Sequence, residues 1–252
     1  MTELAREGQT RITFTANEEE TPVWSPDGKD LAYAAQTKGA VRSLMTKASD
    51  GGAAATEKAV WTTPNHFHVN DWSPDGRTIL VEITRQGTLS DIFAIDVTTG
   101  KDTPLLASRY VEAQARFSPD GKWLAYSSDE SGVREVYVQP YPALNARVPV
   151  STGGGVEPVW SRDGRKLFFR SKDNIMVADV TKTSPLEFGT PRVLFPDRFV
   201  RTQGAIHTHY AAAADGRLLF IDSLDGSSRL HEEINSVLNW GETLKRLAPP
   251  KK

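Results

Sequence analysis

The stretch Trp24-Ser25-Pro26-Asp27-Gly28 constrains this chain more than any other, because it recurs. It returns as Trp72-Ser73-Pro74-Asp75-Gly76, as Phe117-Ser118-Pro119-Asp120-Gly121 and as Trp160-Ser161-Arg162-Asp163-Gly164. A worn fifth copy is Ala212-Ala213-Ala214-Asp215-Gly216. Successive copies begin 48, 45, 43 and 52 residues apart. A unit of roughly 40–50 residues repeated along a chain marks a stacked or radial array, commonly a β-propeller. The copies read as tight hairpins. Proline presets φ, aspartate bonds its own backbone, and glycine tolerates positive φ. An apolar triplet follows each turn: Leu31-Ala32-Tyr33, Ile79-Leu80-Val81, Leu124-Ala125-Tyr126 and Leu167-Phe168-Phe169. Leu218-Leu219-Phe220 comes one residue early, which predicts a shorter fifth turn.

Around these turns the β-prone runs fall into five sets of strands a, b and c, the first four each followed by a strand d. Arg11–Phe14 is left over as an orphan d-like strand, and Ile234–Trp240 would be the last strand c. A ring is commonly closed by pairing one terminus into the blade begun by the other. The expectation is therefore an all-β propeller of four-stranded antiparallel blades. Five blades would be closed by Arg11–Phe14 beside Ile234–Trp240, in one domain over residues 1–241 with a polar tail over 242–252. The alternative is an open arc or a fragment of a larger ring.

Composition narrows the partners. The net charge is −2 with no basic stripe, so nucleic acid is not an expected partner. The chain has no cysteine, hence no disulfide, thiolate metal site or cysteine nucleophile. It shows no signal-peptide pattern at Met1–Arg6 and no run of 18 apolar residues, so membrane insertion is not expected either. This makes the cytoplasm the default location, or the periplasm if the chain belongs to a longer anchored or secreted parent.

The pattern W/F-S-P-D-G-K-x-L-A-Y resembles the TolB-type WD-like propeller repeat from about residue 11 to 240. The run Phe117–Gly132, then Glu135-Val136-Tyr137-Val138-Gln139-Pro140 and Ser151-Thr152-Gly153-Gly154-Gly155, resembles the C-terminal propeller of certain bacterial serine/threonine protein kinases. The closing Ser236-Val237-Leu238-Asn239-Trp240 resembles how those proteins end. The resemblance implies a sensing or interaction module with catalysis elsewhere. No kinase G-x-G-x-x-G, V-A-I-K, H-R-D or D-F-G occurs in this sequence.

Candidate chemistry is sparse. His66-Phe67-His68 and His207-Thr208-His209 both precede repeat anchors, where strand a would line the central channel. Four imidazoles around one channel can hold a metal. However, His66 and His68 lie six and four residues before Trp72, while His207 and His209 lie five and three before Ala212. At a period of two, that opposed parity points the pairs to different faces and argues against a metal site. No cofactor is expected. The turn residues Asp27, Gly28, Asp75, Gly76, Asp120, Gly121, Asp163, Gly164, Asp215 and Gly216 have a sufficient structural cause, so a carboxylate ring for glycoside hydrolysis is not needed to explain them. Glu20 and Glu157 lie near strand a and could face a channel, but nothing marks them as a tuned pair. The serine-peptidase motif G-x-S-x-G is absent.

Two functions fit these residues. One is a non-catalytic module that binds a protein or small ligand at a propeller mouth, detached from a kinase in the resemblance's terms. The other is a small propeller enzyme, glycosidase- or lactonase-like, using channel carboxylates or a metal. Acids or histidines converging at one mouth would favour the second, and an apolar or Arg/aromatic patch at one mouth would favour the first.

Overall fold

The computed structural model describes residues 2–3, 8–9, 12–15, 17–36, 39, 41–49, 56–85, 88–200 and 207–221. Among them there is no helix, and hence none long and apolar enough to cross a membrane. The first blade is the antiparallel sheet Glu19–Trp24, Asp30–Gln36, Arg42–Ala48 and Lys58–Thr63. The second is Phe67–Trp72, Thr78–Arg85, Thr88–Asp96 and Asp102–Leu106. The third is Glu112–Phe117, Trp123–Ser128, Glu135–Pro140 and Val148–Pro149. The fourth is Val156–Trp160, Lys166–Ser171 and Asn174–Thr183, and both Leu186–Phe188 and Arg192–Pro196 pair with the last of these. Tyr210–Ala212 and Leu218–Phe220 begin a fifth sheet.

The repeated turn is held by its own polar atoms. In four copies the serine hydroxyl donates to the aspartate Oδ1 at 2.6–2.7 Å. That Oδ1 also accepts the N–H two residues on, at 3.0–3.1 Å. The serine Oγ in turn accepts the N–H five residues on, at 2.9–3.0 Å. The glycine closing each of these turns has φ between +69° and +74°, in the region glycine enters without steric cost. In the fifth copy Ala213 N–H reaches Arg217 O, one residue sooner than Ser25 N–H reaches Asp30 O. The shorter turn is as the early triplet predicts.

The apolar triplets are explained by burial on both faces. Side chains alternate across a strand, so neighbours in a triplet enter different interfaces. Ile79 and Val81 pack with Ala32, Ala34 and Leu44 of the first blade. Leu80 between them packs with Phe117, Leu124 and Tyr126 of the third. Leu167 and Phe169 meet Ala125, Val136 and Val138, while Phe168 faces Tyr210 and Phe220 of the fifth sheet. Each fully buried large side chain contributes about 1.5–3 kcal/mol before chain entropy is deducted.

The N-terminal strand is a correction. Residues 12–14 form no strand; Phe14 is largely exposed and lies under the Lys47 ammonium, 5.6 Å from its ring centroid. Arg11, Ile234–Trp240 and the tail 242–252 lie outside the described residues, as does most of the fifth blade.

Candidate functional site

The innermost strands of the first four blades carry one extra residue each. The pairing slips between Glu20 and Val23, Val69 and Asp71, Ala113 and Arg116, and Val156 and Val159. Such bulges bend a strand and re-aim its side chains. Three of them hold non-glycine residues at positive φ: Thr21 at 52°, Gln114 at 59° and Glu157 at 54°. That conformation is uncommon outside glycine and clusters at functional positions.

The bulges turn backbone donors from blade to blade. Val69 N–H donates to Thr21 Oγ1 at 2.9 Å, and Gln114 N–H to Glu82 Oε2 at 2.9 Å. Glu157 N–H donates to Gln114 Oε1 and His209 N–H to Glu157 Oε2, both at 2.8 Å. The donors Val69, Gln114, Glu157 and His209 all sit three residues before their repeat anchor, as does Thr21. Their backbones therefore stitch successive blades together around the channel.

Buried polar groups gather at this end of the blades, one strand length from the Asp-Gly turns. Glu82 accepts Ser90 Oγ at 2.6 Å and Asn70 Nδ2 at 3.2 Å besides the Gln114 amide. Its burial outweighs those bonds and raises its carboxyl to about 7. Arg170, 1% exposed, ion-pairs with Glu157 at 3.3 Å and Asp197 at 3.0 Å. Arg134 lies just before the strand that starts at Glu135. Its Nε and Nη2 are buried without a hydrogen-bond partner. Burial lowers its pKa, with Glu82 and Asp129 acting the other way.

The histidines meet here too, which corrects the parity argument. The rings of His68 and His207 are 4.4 Å apart, and those of His66 and His68 are also 4.4 Å apart. Parity fails for two reasons. A bulge at Val69–Asp71 inserts a residue between His68 and its anchor, and His207–His209 precede the strand Tyr210–Ala212 altogether. His209 turns from the other three toward Glu157, its Nδ1 3.6 Å from the carboxylate. Glu20 Oε2 lies 3.7 Å from both His66 Nε2 and His68 Nε2. Burial, then His207 and His66, lower His68 to about 3. Burial also lowers His66 and His207, so these imidazoles are neutral at neutral pH.

The turn aspartates stand apart from this group. Asp27, Asp75 and Asp163 are held below the usual carboxylate range by the serine hydroxyl first and then by a backbone N–H. Asp120 and Asp215 are also lowered. Sequence reading missed Glu82, Gln114, Arg134 and Arg170. Gln114 had a signal, since aligning the repeats on their anchors puts a polar residue at the same place in four of five copies. Glu82, Arg134 and Arg170 come from strands b and c, where nothing in the spacing marks them.

The TolB beta propeller domain profile matches residues 21–190, more than half of the chain. The chain belongs to that family. Among curated proteins it is 25% identical to the uncharacterized peptidase YuxL of Bacillus subtilis (strain 168), over 46% of this chain and 24% of that one. The chain spans less than half the length of the curated relatives it matches. Among solved structures, TolB from Acinetobacter baumannii superposes with a TM-score of 0.66 at 18% identity, covering 85% of this chain and 51% of that one. An oligogalacturonate lyase in complex with manganese superposes with a TM-score of 0.65 at 14% identity, covering 90% and 68%. At such identities the likeness extends to the fold alone. It spans TolB and a lyase alike, so the site's own chemistry has to carry any functional reading.

Proposed function

We propose that this chain is a ligand-binding propeller module whose working end is the channel mouth opposite the Asp-Gly turns. One observation carries the reading: desolvated polar groups with unspent bonding capacity gather there. Arg134 keeps Nε and Nη2 without partners, and His68 keeps Nδ1 without one. Leaving such groups buried and unpaired costs about 1–3 kcal/mol each. A purely structural end would fill them with apolar side chains; a binding end keeps them for its ligand. Two guanidinium donors without acceptors suit a carboxylate, which Arg binds through paired N–H groups. The ligand class proposed is therefore a carboxylate-bearing small molecule or chain end. In the setting implied by the resemblance to kinase C-terminal propellers, the module would sense that ligand for a catalytic domain.

A second reading, a channel enzyme, is favoured by Glu82, because a carboxyl held near 7 suits general acid–base chemistry. One experiment separates the two. Oligogalacturonate, the polyacid named for a structural neighbour, is titrated into the full chain alongside its methyl ester, with chelator present. Binding of the acid at least tenfold tighter than the ester is expected, with that preference lost in Arg134→Met and no unsaturated sugar formed. Unsaturated product that disappears in Glu82→Gln would establish the enzyme instead. Equal binding of acid and ester would remove Arg134 from the site.

A further inference from the structure

We propose that Glu20, His66 and His68, joined by His207, bind one divalent first-row transition-metal ion. The inference shares its location and His68 with the proposed ligand site, while its other donors, Glu20, His66 and His207, are different residues from Arg134. The donor atoms of Glu20, His66 and His68 all lie within 4.8 Å of one another. The two carboxylate-to-imidazole distances of 3.7 Å are too long for hydrogen bonds. They lie within a few tenths of an ångström of what a shared ion requires. Two donors each about 2.1 Å from one metal stand roughly 3.0–3.6 Å apart.

The surroundings leave these donors free for an ion. Arg42 Nη1 holds Glu20 Oε1 at 3.0 Å, which turns Oε2 toward the imidazoles and makes Arg42 a positioning residue. His68 is 5% exposed; Nε2 is its nitrogen nearest Glu20, and its other nitrogen, Nδ1, is buried with no hydrogen-bond partner. His207 arrives from the edge of the fifth sheet, its ring 4.4 Å from that of His68. The ion would thus tie the first two blades to the fifth across the channel. Imidazole with one carboxylate suits Zn²⁺, Fe²⁺, Co²⁺ or Ni²⁺ and not Ca²⁺ or Mg²⁺, which prefer all-oxygen sets.

The test uses the full chain, stripped with chelator and dialysed, with no organic ligand present. Zn²⁺ is titrated calorimetrically and Co²⁺ by its visible absorption. One equivalent of each is expected, with Ca²⁺ and Mg²⁺ failing to compete. His66→Ala is the informative variant, because that side chain is 41% exposed and its loss leaves the core intact. It should lower Zn²⁺ affinity at least tenfold while melting at the temperature of the metal-free parent. Glu20→Gln should lower the affinity as well. Uptake of no more than the His66→Ala, His68→Ala double variant would overturn the site, and so would unchanged affinity in His66→Ala. The carboxylate titration is done in chelator, so either proposal can fail without the other.

Discussion

Arg170→Met is expected to destabilise the protein by about 3–5 kcal/mol, the usual loss when one partner of a buried ion pair is removed. Arg170 is 1% exposed, and the side chains of Glu157 and Asp197 are 6% and 0% exposed. Methionine keeps much of the volume against Tyr210 and Phe220, over whose rings the guanidinium lies at 5.6 and 5.9 Å. What it removes is the guanidinium that pairs with both desolvated carboxylates, and the bond to Val200 O at 3.2 Å. The damage should spread to the fifth sheet. Glu157 is its tether, through the His209 amide and through Tyr210 Oη, which donates to Glu157 O at 2.7 Å. Denaturant titration checks this. The triple change Arg170→Met, Glu157→Gln, Asp197→Asn should recover a large part of the loss, since no charge is then left buried alone. A midpoint in Arg170→Met equal to the parent's would mean that the carboxylates find water and that the network is not buried in solution.

The second large effect is a dependence of stability on pH that Glu82 controls. Its carboxyl rises from 4.5 to about 7 on folding because burial outweighs its hydrogen bonds. Below 4.5 both folded and unfolded chains hold the proton, and the group costs nothing. As pH rises through the window from 4.5 to about 7, the unfolded chain ionises first and stability falls. At about 1.4 kcal/mol per pH unit the loss totals roughly 3 kcal/mol above pH 7. His68, lowered to about 3, acts in the opposite sense, since the unfolded chain gains a proton as pH falls below its ordinary value. The difference between parent and Glu82→Gln therefore isolates the carboxyl. Glutamine can keep all three bonds: its oxygen accepts from Gln114 and Asn70, and its amide donates to Ser90 Oγ. The variant should match the parent near pH 4 and exceed it by roughly 3 kcal/mol above pH 7. Parallel curves across that range would show that water reaches the carboxylate.

The sequence made the scaffold legible for a local reason. The serine, aspartate and glycine of each turn bond within six residues of one another, so their spacing is written in one short string. The triplets are equally plain, because a strand covered on both faces has nowhere to put a polar side chain. The site is another matter. His68 and His207 meet across the channel although 139 positions separate them. Their meeting depends on a bulge at Val69–Asp71 that no residue type there announces. Alternation is reliable along a regular ladder, and one inserted residue reverses it. Residues 12–14 alternate yet form no strand, because alternation gives the faces a strand would present and not its hydrogen-bond ladder.

The most direct test of the metal site at this mouth is anomalous scattering from crystals of the full chain grown with Zn²⁺. One strong peak is expected in the channel, about 2.0–2.2 Å from Glu20 Oε2, His66 Nε2 and a ring nitrogen of His68, with the His207 ring turned toward it. Peaks confined to the outer surface, with the His66 and His68 rings apart and hydrogen-bonded elsewhere, would contradict it.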